Sequence, residues 1–145
     1  MSLSVVRFEK KDYSILNQWF KDWGWESWDI ESISPYAFWV FDGEVPIFFT
    51  SYYKAVGCNL AQMGISISNK DCSKIRLARA ISLGLDYLFQ DAQNEGIKAI
   101  RYATDLESKV MIDFFVKKGA KLINNNALVA IKVFDDKMNF FYEGN

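Results

Sequence analysis

Apolar and polar residues in the C-terminal half of the chain predict strands and helices in turn. Residues Gly64–Ser68 alternate between apolar and polar, which predicts a strand, and a long helix is predicted from Ser73 to Gln93. The remaining elements of this half are a strand, a shorter helix and two strands, at Ala99–Thr104, Asp105–Lys118, Lys121–Ile123 and Ala127–Phe134. Gly119 is expected to end the shorter helix, and Asn124–Asn126 to join the last two strands.

The N-terminal half predicts a strand, a helix and a run of antiparallel strands. The helix is expected at Asp12–Trp23, where apolar residues recur at helical spacing. Asp42 and Gly43 are a strong signal for a two-residue hairpin turn. The strands of this half are predicted at Val5–Phe8, Tyr36–Phe41, Val45–Lys54 and Leu60–Ser68.

These elements predict a single α/β (α+β) domain over residues 1–145, because a chain of this length is about one domain. We expect a mixed, mostly antiparallel sheet of six or seven strands with helices on both faces. Its central pair should be Gly64–Ser68 and Ala99–Thr104, parallel and splayed at one end, because the long helix between them can cross back over the sheet. The chain divides into an aromatic-rich half (1–59), a second half (60–134) and a tail (135–145).

Composition narrows the possible functions. Half of the residues are apolar, 24% are charged, and no run approaches the roughly 18 apolar residues of a membrane span. The net charge of −1 argues against nucleic-acid binding through a basic face. The N-terminus lacks the pattern of a secretory signal, and the scattered Cys58 and Cys72 fit a reduced, cytoplasmic protein. The chain contains no histidine, which excludes nucleophile–histidine catalysis, and no residues have the spacing of a metal site.

The turn Asn69–Ala78, which opens the long helix, is the first candidate binding segment. Backbone N–H groups and the dipole at a helix start favour an anion. Four cations crowd this helix start, although the dipole disfavours cations there. The four cations are Lys70, Lys74, Arg76 and Arg79. Either an anion lies at the turn or these cations form a solvated basic face.

The second candidate segment is Ser108–Ala120, in which Phe115, Lys117 and Gly119 lie two residues apart. Gly119 fits a helix C-cap, and Thr104–Glu107 fit a capping box at the other end of the helix. The two segments, and the order of elements over nearly the whole chain, resemble the GCN5-related N-acetyltransferase (GNAT) family. Over its last third the chain also has a weaker resemblance to GNAT-like virion-associated proteins of T7-type bacteriophages.

The GNAT resemblance implies acetyl-CoA as the cofactor and an amine of a small molecule or protein as the acetyl acceptor. It implies that Ile65 and Ile67 offer backbone groups to the pantetheine arm of CoA. The pyrophosphate of CoA would then lie against the turn, and the family signature in the last helix would begin at Ser108. The turn residues that the resemblance assigns to the cofactor are Ser73, Lys74, Ile75, Arg76 and Ala78.

The chain departs from the family pattern at the positions that bind the cofactor and that donate the proton. Arg76 and Ala78 stand where the family has glycines, and Phe115 stands where the family often has a tyrosine that protonates the departing thiolate. A phenyl ring cannot donate a proton, although general acid catalysis is worth only about 10²–10⁴-fold. Tyr102 is a weak candidate for a catalytic hydroxyl. Asp42 and Glu44 are expected to be solvated acids of a hairpin turn, so no general base is identified.

Aromatic residues are concentrated in the N-terminal part of the chain, since 15 of the 24 lie in Met1–Tyr53. Most are expected to form the core. Trp25 and Trp28 are predicted to lie in a loop, where they could face a ligand, a protein partner or a second copy of the chain. The aromatic tail Phe140–Tyr142 is expected to dock onto its own domain or onto a neighbouring subunit.

Three functions remain open from the sequence. The first is an acetyl-CoA-dependent N-acetyltransferase with a reduced active site. The second is a catalytically inactive structural or assembly protein of the same fold, such as one associated with a bacteriophage virion. The third is a module that binds a small ligand or peptide between the central strands. The glycine-free turn favours the second function over the first, whereas the basic helix start favours the first.

Overall fold

The computed structural model describes residues 1–104, 109–124 and 128–134. The chain forms two compact units, one made of Met1–Tyr53 and Gly64–Gln90, the other of Lys54–Met63 and Asp91–Asn145. In chain order the elements are β1 (Leu3–Arg7), α1 (Tyr13–Trp23), β2 (Ala37–Asp42), β3 (Val45–Lys54), β4 (Leu60–Met63), β5 (Ile67–Ser68), α2 (Lys74–Asn94), β6 (Ala99–Thr104), α3 (Lys109–Lys117), β7 (Lys121–Asn124) and β8 (Leu128–Val133).

The strands of the first unit are all antiparallel. β1 pairs with β2, β2 pairs with β3, and β5 pairs with β3. The pairing of β2 with β3 shifts register between Val40 and Phe41, which marks a β-bulge. The turn that joins these strands is Gly43–Glu44, one residue later than the predicted Asp42–Gly43. Gly43 has φ +61°, so it takes the first central position of the turn, and Asp42 ends β2.

Helices cover both faces of the first unit's strands, as predicted. α1 presents Leu16, Trp19 and Phe20 to a fully apolar core, in which the rings of Trp19 and Trp39 meet edge to face at 5.1 Å. α2 packs closely against the other face at Gly84. A Cβ atom at Gly84 would lie 3.1 Å from Val40 Cγ2 and 3.2 Å from Phe48 Cδ2. A Cβ atom there would fit only if these side chains moved by a few tenths of an ångström, so the glycine favours the close approach.

The second unit contains the parallel strand pair. β4 runs parallel to β6, with Leu60 opposite Ala99 and Gln62 opposite Arg101. β6 pairs on its other edge with β8, and β8 pairs with β7, both antiparallel. α3 contributes the buried residues Ile112 and Phe115. The described residues therefore form eight strands, where six or seven were predicted. The mixed, mostly antiparallel character of the fold is confirmed.

The predicted parallel pair exists, but the prediction that Gly64–Ser68 is the parallel neighbour of Ala99–Thr104 was wrong. The parallel strand is β4, and its pairing with β6 ends at Gln62. At Gly64 the backbone N–H donates to Ser51 O at 2.8 Å, and Ile67 and Ser68 then pair with β3. The segment from Leu60 to Ser68 thus changes partner part-way, because Gly64 lets the backbone lie close against β3.

Several predicted features lie outside the described residues. These are the acidic residues of the capping box at Thr104–Glu107, the signature position Ser108, part of the Asn124–Asn126 turn and the Phe140–Tyr142 tail. Within the described ranges, no helix is long and apolar enough to cross a membrane.

Candidate functional site

Asn69 shapes the turn that leads into α2. Its backbone N–H donates to Ile47 O at 2.9 Å and its side-chain Nδ2 donates to Pro46 O at 3.0 Å, which fixes the turn to β3. Its Oδ1 accepts from the Asp71 N–H at 2.9 Å, and its carbonyl accepts from the Cys72 N–H at 3.3 Å. An asparagine that bonds the backbone two residues ahead holds a tight turn without glycine. The missing glycines therefore do not prevent the turn from forming.

Ser73 is the N-cap of α2. Its Oγ accepts a hydrogen bond from the Arg76 N–H at 3.2 Å, and its carbonyl accepts from the Leu77 N–H at 3.0 Å. The N–H groups of Lys74 and Ile75 lie in the first turn, where a helix offers no intrahelical acceptor. Neither N–H group has an acceptor among the described residues, so both are open to an anion.

Arg76 is held by an acid from the β2–β3 hairpin. Its Nε and Nη2 donate to Asp42 Oδ2 at 3.0 and 2.7 Å, and the Asp42 side chain is only 16% exposed. The Ser2 N–H donates to Asp42 Oδ1 at 2.9 Å. This backbone hydrogen bond, and then the Arg76 guanidinium, lower the pKa of Asp42. Asp42 is therefore an ion-pair partner rather than the solvated acid that the sequence predicted.

Of the other three cations at the start of α2, one makes contacts within the protein and two are exposed. The Lys70 ammonium donates to Asp22 O at 3.0 Å and lies 5.3 Å from the centre of the Trp23 ring. Lys74 and Arg79 are exposed, and neither side chain has a bonding partner among the described residues. The basic cluster thus contains two cations in internal contacts, Lys70 and Arg76, and two that face solvent.

Ile65 and Ile67, which the resemblance assigns to the pantetheine arm, can offer only backbone groups to a ligand. The side chains of Ile65 and Ile67 are 8% and 3% exposed and belong to the core beneath α1. Ile65 O already accepts from the buried Ser51 Oγ at 3.0 Å. Ser66, between them, points the other way and its Oγ lies 2.9 Å from Thr50 Oγ1. Along the turn and helix, the Ile75 side chain is 68% exposed and Ala78 is exposed.

The two catalytic candidates of the second unit touch each other. The rings of Tyr102 and Phe115 stack with centroids 5.2 Å apart and planes inclined by 25°. Phe115 is fully buried, so it is a core residue of α3 as it stands. The helix ends at Gly119, where Ala120 N–H donates back to Phe115 O at 3.0 Å. Among the described residues, no group of three or more Cys, Asp or Glu side chains could hold a metal ion.

Sequence reasoning missed the role of Asn69 in holding the turn and the role of Asp42 as the partner of Arg76. Asn69 had a usable signal, because asparagine directly after a strand and before a helix is a turn-forming residue. The pairing of Asp42 with Arg76 had none, since the two residues are 34 positions apart. Their contact depends on how the hairpin packs beside the start of α2, which periodicity does not reveal.

Comparison with solved structures identifies the fold. Ard1 from Thermoplasma volcanium matches with a TM-score of 0.74 at 11% identity, over 92% of this chain and 98% of that chain. A GCN5-related N-acetyltransferase from Kribbella flavida matches with a TM-score of 0.73 at 13% identity, over 92% and 98%. The chain has the fold of the GNAT acetyltransferases. The PaiA N-acetyltransferase from Thermoplasma acidophilum, solved with coenzyme A, matches with a TM-score of 0.68 at 16% identity, over 92% and 100%.

These matches confirm the resemblance inferred from the order of elements. At such low identities the likeness establishes the GNAT fold alone. No family model matches the sequence, and no curated protein matches it either.

Proposed function

We propose that this chain binds acetyl-CoA and transfers the acetyl group to an amine, with fewer acid–base groups than its fold family uses. The start of α2 carries the proposal. There the N–H groups of Lys74 and Ile75 are open, and the exposed cations Lys74 and Arg79 lie in the first two turns. Open N–H groups and cations at a helix start favour phosphate groups. A structural neighbour solved with coenzyme A supports this assignment.

The groups that would hold the cofactor are mostly backbone. Ser73, Lys74 and Ile75 would supply N–H donors to the pyrophosphate. Ile65 and Ile67 would supply only main-chain groups to the pantetheine arm, because their side chains are buried. Bound acetyl-CoA supplies an acetyl thioester, which is reactive toward a neutral amine. The turn forms without glycine because Asn69 holds its shape.

The chain offers little acid–base catalysis of its own. The backbone N–H of Ser2 and then the paired Arg76 guanidinium lower the pKa of Asp42, which makes it a poor base. Phe115 cannot donate a proton to a leaving thiolate, and Tyr102 carries a hydroxyl on the ring that stacks against it. Loss of one general acid costs about 10²–10⁴-fold in rate. We therefore expect slow transfer, with the acceptor amine activated by solvent.

A catalytically inactive structural or assembly protein, such as a virion-associated one, is the second candidate. It is favoured by the engagement of Arg76 and Lys70 in internal contacts and by the burial of Phe115. Both candidates fit a reducing, cytoplasmic environment, because Cys58 and Cys72 are free thiols.

Calorimetric titration with CoA separates the two candidates. Charge reversal at the two exposed cations Lys74 and Arg79 together should weaken binding more than tenfold, and added salt should weaken it further. Lys21→Glu is the matched control, because Lys21 is an exposed lysine of the same unit on a different helix. Equal affinity of the wild type and the double variant removes the start of α2 as the site. Undetectable binding at about 1 mM CoA, which corresponds to about −4 kcal/mol, favours the structural candidate.

A further inference from the structure

Three tryptophans form an exposed surface at the end of α1. Trp23, Trp25 and Trp28 are 40%, 48% and 43% exposed. Together with Glu26 and Asp29 they are called the tryptophan surface below. Large aromatic rings rarely stay this exposed in a cluster unless the surface binds something. The nature of the surrounding charges decides what that partner is.

The rings are held in place by the backbone around them. Gly24 ends α1 with φ +71°, and the Trp25 N–H donates to Phe20 O at 2.8 Å. This pattern is a Schellman motif, in which the residue after the glycine packs on the last turn, and the Trp25 ring lies 6.5 Å from the Phe20 ring. Tyr13 Oη donates to Trp28 O, which anchors the loop on α1. The surface is therefore preorganised, which lowers the entropic cost of binding.

The tryptophan surface is acidic. Residues 22–31 contain four acids and no lysine or arginine. Asp22 accepts from Gln18 and Glu31 pairs with Lys10, whereas Glu26 and Asp29 are exposed and have no ion pair among the described residues. Two unpaired carboxylates beside exposed indole rings are complementary to a cationic partner and repel an anionic one.

The structure already shows how this surface holds an ammonium group. The Lys70 Nζ lies 5.3 Å from the centre of the Trp23 ring and donates to Asp22 O at 3.0 Å. An indole face within about 6 Å attracts an ammonium group through a cation–π interaction. The carbonyl acceptor adds a hydrogen bond to the same group. Trp25 and Trp28 offer the same kind of ring face without an internal lysine among the described contacts.

We propose that the tryptophan surface binds a basic polypeptide segment that presents several lysine or arginine side chains. One ammonium group can use one ring face at about 6 Å, so several rings and two carboxylates suit several cations carried by one chain. The proposal does not depend on whether the protein transfers acetyl groups. If it does, such a segment is a suitable carrier of the acceptor amine.

The test is titration of a short peptide of alternating lysine and serine, followed by tryptophan fluorescence and calorimetry in the absence of CoA. Binding is expected, and it should weaken when the ionic strength rises from about 0.01 M to about 0.1 M, because the Debye length falls from about 30 to about 10 Å. The same peptide with every lysine acetylated should not bind. Equal binding of the two peptides overturns the proposal.

Variants of the surface make the test specific. Trp25→Ala and Trp28→Ala should each weaken binding by about twofold to fivefold, the range expected for exposed cation–π contacts. Charge reversal at Glu26 and Asp29 together should weaken it more than tenfold. Tyr87→Ala is the matched control, because Tyr87 is an aromatic residue on α2 with the same 48% exposure as Trp25, and it should leave binding unchanged.

Other occupants give different results. Self-association in sedimentation experiments that is lost in the Trp25→Ala and Trp28→Ala variants would assign the surface to a second copy of the chain and overturn the proposal. Full competition by lysine amide at equal amine concentration would assign it to a small amine, with the same consequence. Failure of the lysine peptide to bind while CoA still binds would refute this inference and leave the proposed function standing.

Discussion

Replacing Gly64 with alanine places a methyl group where the structure leaves no room. A Cβ at Gly64 would lie 2.6 Å from Ser51 Oγ and 2.6 Å from Tyr53 Cε2. Ser51 cannot move freely, because it is buried and its hydroxyl donates to Ile65 O. Overpacking of this kind lowers the free energy of unfolding by about 1–3 kcal/mol. Alanine also reduces the conformational entropy of the unfolded chain, which offsets about 0.4–1 kcal/mol of this loss. We expect Gly64→Ala to lower the free energy of unfolding by about 1–2 kcal/mol.

Urea denaturation followed by tryptophan fluorescence measures this change, and a fall of about 3–8 °C in Tm should accompany it. Ser51→Ala removes one of the two clashing atoms, so the double variant should lose less stability than the sum of the two single variants. Gly84→Ala is the control, because its Cβ contacts are longer and alanine is favoured in a helix by about 1 kcal/mol. Wild-type stability in Gly64→Ala would show that the chain does not lie against β3 at this point.

Substitutions at four further positions test other parts of the structure. Trp39→Phe should change the free energy of unfolding by less than about 1 kcal/mol, because the buried Nε1 has no hydrogen-bond partner among the described residues and its removal offsets the lost volume; chemical denaturation measures it. Ser73→Ala should cost about 1 kcal/mol through loss of the α2 N-cap, and Ser73→Asp should restore it. Phe115→Tyr should destabilise the protein by about 1–3 kcal/mol, because a hydroxyl would be added to a fully buried ring; a higher rate of acetyl transfer without this loss would show that the ring faces a cofactor. The lowered pKa of Asp42 means that its contribution to stability is present above pH about 4 and is lost as pH falls through its folded-state value; Tm measured against pH should show a weaker acid dependence in Asp42→Asn, and identical profiles would contradict the ion pair.

Much of the fold could be predicted because each long element has a local signal. Apolar spacing and Gly24 define α1, and the long helix after Asn69 was placed within one residue at each end. Strand partners were harder, because alternation identifies a strand without naming its neighbour. The segment from Leu60 to Ser68 changes partner at Gly64, and only the close contact of Gly64 with Ser51 and Tyr53 reveals this.

The anion site that the resemblance implies at the start of α2 stays a prediction. The structure describes the groups around it, which include the N–H groups of Lys74 and Ile75 in the first turn of the helix. The sequence could not show that Arg76 bonds to Asp42, because that contact joins distant parts of the chain.

Amide NMR during titration with CoA tests the central proposal most directly. If the phosphates of CoA bind at the start of α2, the ¹⁵N–¹H signals of Lys74 and Ile75 should shift most. The Arg76 signal should shift less, because its N–H already donates to Ser73 Oγ. Absence of any shift at about 1 mM CoA, or shifts confined to residues far from this helix start, would contradict the account.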